Sequence, residues 1–183
     1  DIDILQGIAN LGVNSVLKVD IKMLFVLDNM DVPVEQLQVA LQSYRSHSLV
    51  RVWKNQKNEG ASNSRNTILA QSFGDHVVLL DDDIIPSSHL LEAYVGGILR
   101  HPKAKIYVGT TTLPPPQTLM QMALYACEMT FFYNIAEKKK NPPWGVTANL
   151  CVVARTNKEH RFADCYPKTG GGEDVDFCLR MKP

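Results

Sequence analysis

Leu79-Leu80-Asp81-Asp82-Asp83-Ile84-Ile85-Pro86 sets three carboxylates at the end of an apolar run that begins at His76 and reads as a buried strand. Like charges side by side repel, and a divalent cation is the obvious group to offset them. Hard oxygen ligands at a strand's carboxyl end suit magnesium or manganese, ions that usually hold a phosphorylated substrate as well. An Asp-rich strand end can also do no more than cap the next helix or face water. Here Pro86-Ser87-Ser88 leads into a helical pattern at His89, so one Asp or Ser has a cap to make. The surrounding chain decides between the two.

Upstream of the triplet, Gly74-Asp75 is a turn and Asn63 to Phe73 has helical spacing. Before that, Asn55 to Ser62 is a polar loop and Leu49-Val50-Arg51-Val52-Trp53 alternates like a strand. Val34 to Tyr44 is helical, with Pro33 placed to start it, and Met23-Leu24-Phe25-Val26-Leu27 is a short apolar strand stopped by Asp28-Asn29. Ile2 to Val19 recurs at helical spacing. Downstream come a helix over Leu90 to Leu99, a strand over Ile106 to Gly109 and a break at Leu113-Pro114-Pro115-Pro116. Leu119 to Ile135 reads as one long helix, apolar on most faces, which predicts a core or interface helix. A membrane-surface role for it rests on Lys138-Lys139-Lys140 alone. Asn141 to Gly145 is a loop, Ala148 to Ala154 a strand, and Thr169-Gly170-Gly171-Gly172 a loop that opens onto an acidic helix start at Glu173. Strands alternating with helices of this size predict an α/β sheet with ligands at the strands' carboxyl ends.

Composition bounds the partners. The 183 residues suit one domain that buries roughly 70% of the surface its unfolded chain exposes. Nineteen basic and nineteen acidic residues cancel, so no global field draws the chain to nucleic acid, and membrane-surface contact is at most weak and local. Cys127, Cys151, Cys165 and Cys178 form no CxxC pair, which predicts reduced, mostly buried thiols rather than a zinc site. No basic-plus-apolar leader and no membrane-length apolar run is present, so the expectation is a cytoplasmic domain, with membrane association of a longer parent chain left open. The chain starts at Asp1 beside its first helix and stops at Pro183 just after a helical motif, so both ends read as truncated. There is no G-x-x-x-x-G-K-[ST] loop, and phosphate needs another anchor.

Four segments stand out: Leu27-Asp28-Asn29, Asn58-Glu59-Gly60-Ala61-Ser62-Asn63-Ser64-Arg65-Asn66, Asp81-Asp82-Asp83, and Gly170-Gly171-Gly172-Glu173-Asp174-Val175-Asp176-Phe177-Cys178-Leu179-Arg180. In this order, over most of the chain, they resemble family 2 glycosyltransferases of the GT-A fold, enzymes that use nucleotide-sugar donors. The resemblance implies a Rossmann-like α/β fold with a mixed, mostly parallel central sheet flanked by helices, and residues 1–183 as a single domain. Members usually begin with a strand carrying polar residues near the nucleoside base. Here either that piece is missing or Ile2 to Leu5 performs a shortened version of its role.

By that resemblance Asp28 lies near the nucleoside, and Asn58, Gly60 and Arg65 belong to a loop and helix start beside the nucleotide. The residue types fit: Gly60 allows close backbone approach, helical N–H groups favour anions, and Arg65 can pair with a diphosphate or base. The D-x-D motif maps onto Asp81 and Asp83. Asp81 would contact the ribose or the metal shell and Asp83 would ligate a manganese or magnesium ion, with Asp82 between them on the donor side. Asp174 would be the catalytic base, with Glu173 second, because a carboxylate beside an open pocket can take a proton from an acceptor hydroxyl. On the acceptor side stand Trp144, whose flat face suits a pyranose, and Gly172 in a loop able to reshape. His160 either completes the metal shell as a neutral imidazole or is simply exposed.

Each feature has a plainer counterpart: a turn for Asp28, a solvated Arg65, a core Trp144, an acidic first helical turn for Glu173-Asp174. In combination, the resemblance they carry implies a metal-dependent, inverting glycosyltransferase. It would move a sugar from a uridine, guanosine or thymidine diphosphate donor to a hydroxyl of a glycan, lipid or protein. The rivals are a catalytically silent nucleotide-sugar-binding module and a nucleotidyltransferase. The latter should carry a Gly-rich, Arg/Lys-bearing loop after its first strand, and no such loop is present.

Overall fold

Apolar strands recruit one another wherever a helix can cover the face they leave open. In the computed structural model, which describes residues 20–45, 50–72, 74–154, 161–168 and 171–181, this happens twice. The expected helix over Ile2 to Val19, together with His160 and Gly170, lies outside the described residues. Strands β1 (Met23–Leu27) and β2 (Val50–Lys54) pair in parallel with Met23 opposite Val50 and Leu27 opposite Lys54. A parallel pair needs a crossover, and α1 (Val34–Ala40) followed by the short α2 (Gln42–Arg45) supplies it. Leu37 and Leu41 pack there with Val50, against Phe25, Leu27 and Val52.

The second sheet has the order β3 (His76–Leu80), β5 (Asn149–Val153), β4 (Ile106–Val108). Its middle strand runs antiparallel to both neighbours, Leu79 opposite Leu150 and Tyr107 opposite Cys151. The α/β class therefore holds, but the described pairing is one parallel and two antiparallel ladders rather than mostly parallel. Four of the five residues in β5 are buried, as a central strand covered on both faces requires. Its core partners arrive from α3 (Gly60–Gln71) through Leu69 and from α7 (Glu173–Met181) through Phe177, Cys178 and Met181. Phe162 stacks on Phe177 with ring centroids 4.1 Å apart.

Between β3 and β4, α4 (Leu90–Arg100) turns Tyr94 inward, where its hydroxyl donates to Asn149 Oδ1 at 2.6 Å. Burial pushes the Tyr94 phenol up and the Cys151 thiol up to about 12, so neither ionises near neutral pH. None of the four cysteines is in a disulfide, and only Cys151 and Cys178 are buried; Cys127 and Cys165 are exposed, against the expectation of mostly buried thiols.

The long helix expected over Leu119 to Ile135 does not form. Helix α5 (Leu119–Ala126) starts at a Thr118–Gln121 capping box and stops at Cys127. Glu128 adopts φ 52°, and the chain re-forms as a 3₁₀ turn (Phe131–Asn134) and the single-turn α6 (Ile135–Lys138). Nor is α5 a core helix among the described residues. It has no buried residue, and Leu119 is 86% and Met120 70% exposed. Its apolar composition does not report its burial.

Candidate active site

Where β1 ends, Asp28 closes the start of α3. Oδ1 accepts the Glu59 N–H at 2.7 Å and an Asn55 amide proton at 2.8 Å, and Oδ2 accepts the Gly60 N–H at 2.8 Å. The helix begins at Gly60, three residues before the expected start at Asn63, and Gly60 takes φ +81°, a conformation open to glycine at little cost. A Cβ there would meet Lys168 at 3.0 Å, and Lys168 Nζ donates to the Asn58 carbonyl at 2.7 Å. Lys168 is thereby held over the Asn58–Gly60 turn.

Ala61 and Arg65, four residues apart on α3, share one face and line a cavity of about 410 Å³. Asp81, Asp82 and Asp83 form another part of its lining, and Glu173 and Asp174 a third. Arg65 ties two of these parts together: Nη1 lies 2.7 Å from Glu173 Oε1 and Nη2 3.0 Å from Asp81 Oδ1. The adjacent Asn66 grips the Phe162 backbone through two 2.9 Å hydrogen bonds, which sets that ring 5.9 Å beneath the guanidinium.

On α7, Asp174 Oδ1 accepts the Val175 N–H at 2.8 Å. Its carboxyl is held above the usual range, mainly by burial and further by the charge of Glu173, while the Val175 N–H and Arg65 pull the other way. Asp176 and Arg180 bind each other at 2.8 Å, one turn apart, and Arg180 also donates to the Arg161 carbonyl, which makes them a local brace.

The expected acceptor residues lie differently. Trp144 packs on the core cluster with Phe131 edge-on at 6.2 Å, and it is not among the residues lining the cavity. Gly171 lines the cavity, whereas Gly172 takes φ +90° beside Tyr166. The aromatic lining is instead Phe132 and Tyr133, with centroids 4.6 Å apart, facing the same space as Val146 and Thr147. Both rings lie in the 3₁₀ turn that interrupts the expected Leu119 to Ile135 helix, and the Phe131-Phe132-Tyr133 run is the sequence signal for them.

The donor set at the end of β3 fits a hard cation shared with a substrate. Among the described residues no three His, Cys, Asp or Glu side chains converge on one point. Magnesium and manganese commonly take only one or two carboxylates and complete their octahedron with phosphate and water. Asp82 and Asp83 are exposed, and the Arg65 contact of Asp81 is made through Oδ1, so oxygen ligands are on offer without a preformed cage.

A family model described as Glycosyl transferase family 2 matches residues 12–151. No curated protein matches significantly. Among solved structures, S. aureus TarS 1–349 superposes with a TM-score of 0.63 at 16% identity, over 97% of this chain and 49% of that one. The mannosyltransferase PcManGT from Pyrobaculum calidifontis, solved with GDP-Man and Mn2+, gives 0.50 at 15% identity, over 96% of this chain and 58% of its own. At such identities the likeness is one of fold, and the chain spans about half the length of these structures.

Proposed function

The chain belongs to glycosyl transferase family 2 and has a GT-A type fold, and on that premise we propose that its cavity transfers a sugar from a nucleoside-diphosphate donor to an acceptor hydroxyl with inversion. The observation that carries this is the convergence, on one cavity, of the acidic end of β3 with a half-buried carboxylate whose proton affinity is raised, Asp174.

Asp174 takes the proton from the acceptor hydroxyl as that oxygen attacks the anomeric carbon, and the bond from that carbon to the diphosphate oxygen breaks on the opposite face. The configuration inverts in one displacement, and no covalent intermediate with the enzyme forms. Asp83, with Asp81 beside it, would hold a divalent cation, which when bound would offset the charge on the departing diphosphate. Phe132 and Tyr133 offer flat apolar faces to a sugar ring. Uridine, guanosine and thymidine diphosphate sugars are the donor classes, and a glycan, lipid or protein the acceptor.

Incubation with manganese and a panel of these nucleotide sugars tests the proposal by release of nucleoside diphosphate. Tight, metal-dependent binding without release would point instead to a silent binding module. Pyrophosphate release from a nucleoside triphosphate plus a sugar phosphate would point to a nucleotidyltransferase.

A further inference from the structure

We propose that Glu173 and Arg65 form a positioning pair that sets the base, Asp174, against the carboxylates ending β3. Both oxygens of Glu173 are engaged: Oε1 accepts from Arg65 Nη1 at 2.7 Å, and Oε2 accepts the Gly171 N–H at 2.7 Å. Arg65 reaches onward to Asp81 Oδ1 at 3.0 Å. One guanidinium thus joins Glu173, the first residue of α7, to the strand end 92 residues earlier.

The side chains of Arg65 and Glu173 are 13% and 5% exposed, and a charge so withdrawn from water is costly without its partner. The guanidinium is further fixed over Phe162, which stacks on Phe177 of α7 itself. Asp174 follows Glu173 directly in the first turn of that helix, so where Glu173 is held decides where the Asp174 carboxylate lies. With both oxygens holding protein N–H groups, the Glu173 carboxylate is committed to fixing the start of α7. Glu173 therefore leaves the base role to its neighbour, and Arg65 spends its planar fork on two protein carboxylates, a geometry that lysine cannot reproduce.

This inference rests on the glycosyl-transfer reading of the cavity. Its test uses the full chain with manganese and whichever nucleotide sugar releases nucleoside diphosphate, comparing Glu173→Gln, Arg65→Lys and the double variant. We expect each single variant to lose about tenfold or more in kcat while the Kd for the matching nucleoside diphosphate stays within about threefold. The double variant should fall no more than about threefold below the worse single, because the two residues act as one unit. Arg65→Lys retains a buried cation, so it carries the test if Glu173→Gln melts below the assay temperature. Unchanged kcat in the folded variants overturns the pair. So does a loss confined to nucleotide affinity, which would put Arg65 on the diphosphate, or a double variant whose losses multiply. A wild-type chain that turns over no nucleotide sugar defeats the glycosyl-transfer reading and the pair with it, a result distinct from an active wild type matched by its variants.

Discussion

Asp28 Oδ2 accepts the Gly60 N–H at 2.8 Å, which fastens the end of β1 to the start of α3. The same carboxylate takes the Glu59 N–H on its other oxygen, so it satisfies two backbone donors that the first turn of a helix leaves open. Asp28→Ala should cost about 1 to 2 kcal/mol in urea unfolding while changing nucleoside diphosphate affinity little. A large loss of affinity at unchanged stability would return Asp28 to direct nucleotide contact.

Helix α5 makes the opposite forecast. Met122 is 49% exposed in a helix with no buried residue, so Met122→Glu should shift stability by no more than about 0.5 kcal/mol. The same change in a core helix would cost several times that. Chemical denaturation of the two proteins distinguishes the cases.

That contrast marks what a sequence can disclose here. Met23–Leu27 and His76–Leu80 were legible to the residue, because short apolar runs between turn signals have few other uses. The acidic end of β3 was legible for the same reason. The end of α5 was not: Cys127 to Thr130 contains no Gly or Pro, and the break rests on one residue, Glu128, in a left-handed conformation. Antiparallel pairing of β5 between β3 and β4 depends on contacts about 70 and 45 residues apart, which local pattern does not encode. Arg65 could be marked as a charge near a nucleotide, but its grip on Glu173, 108 residues away, belongs to the folded chain alone.

The raised proton affinity of Asp174 fixes a sign. A base acts only when deprotonated, so turnover should fall as pH drops through a value above the ordinary carboxylate range of about 4. Glu173 raises that value, so Glu173→Gln should move the acid limb of the kcat profile to lower pH. A carboxyl raised on folding adds stability below its unfolded value and loses it as pH rises through the folded one. Asp174→Asn should therefore be more stable than wild type at pH 7, read as a higher melting temperature. An acid limb at or below the ordinary range would remove Asp174 from the role of base.

Asp83 is exposed in the cavity lining beside Asp81. Chelation with EDTA should abolish nucleoside diphosphate release, and manganese should restore it. Asp83→Ala should raise the manganese concentration for half-maximal activity by about tenfold or more. Turnover indifferent to EDTA would sink the role given to Asp83.

The single-turnover rate of nucleoside diphosphate release by Asp174→Asn, with acceptor and manganese saturating, tests the account at its centre. A base that removes the acceptor proton in the transition state contributes about 100-fold or more, so the rate should fall at least that far while nucleoside diphosphate affinity stays within about threefold of wild type. Release within a few-fold of the wild-type rate would contradict the assignment of Asp174 and, with it, the mechanism built on that residue.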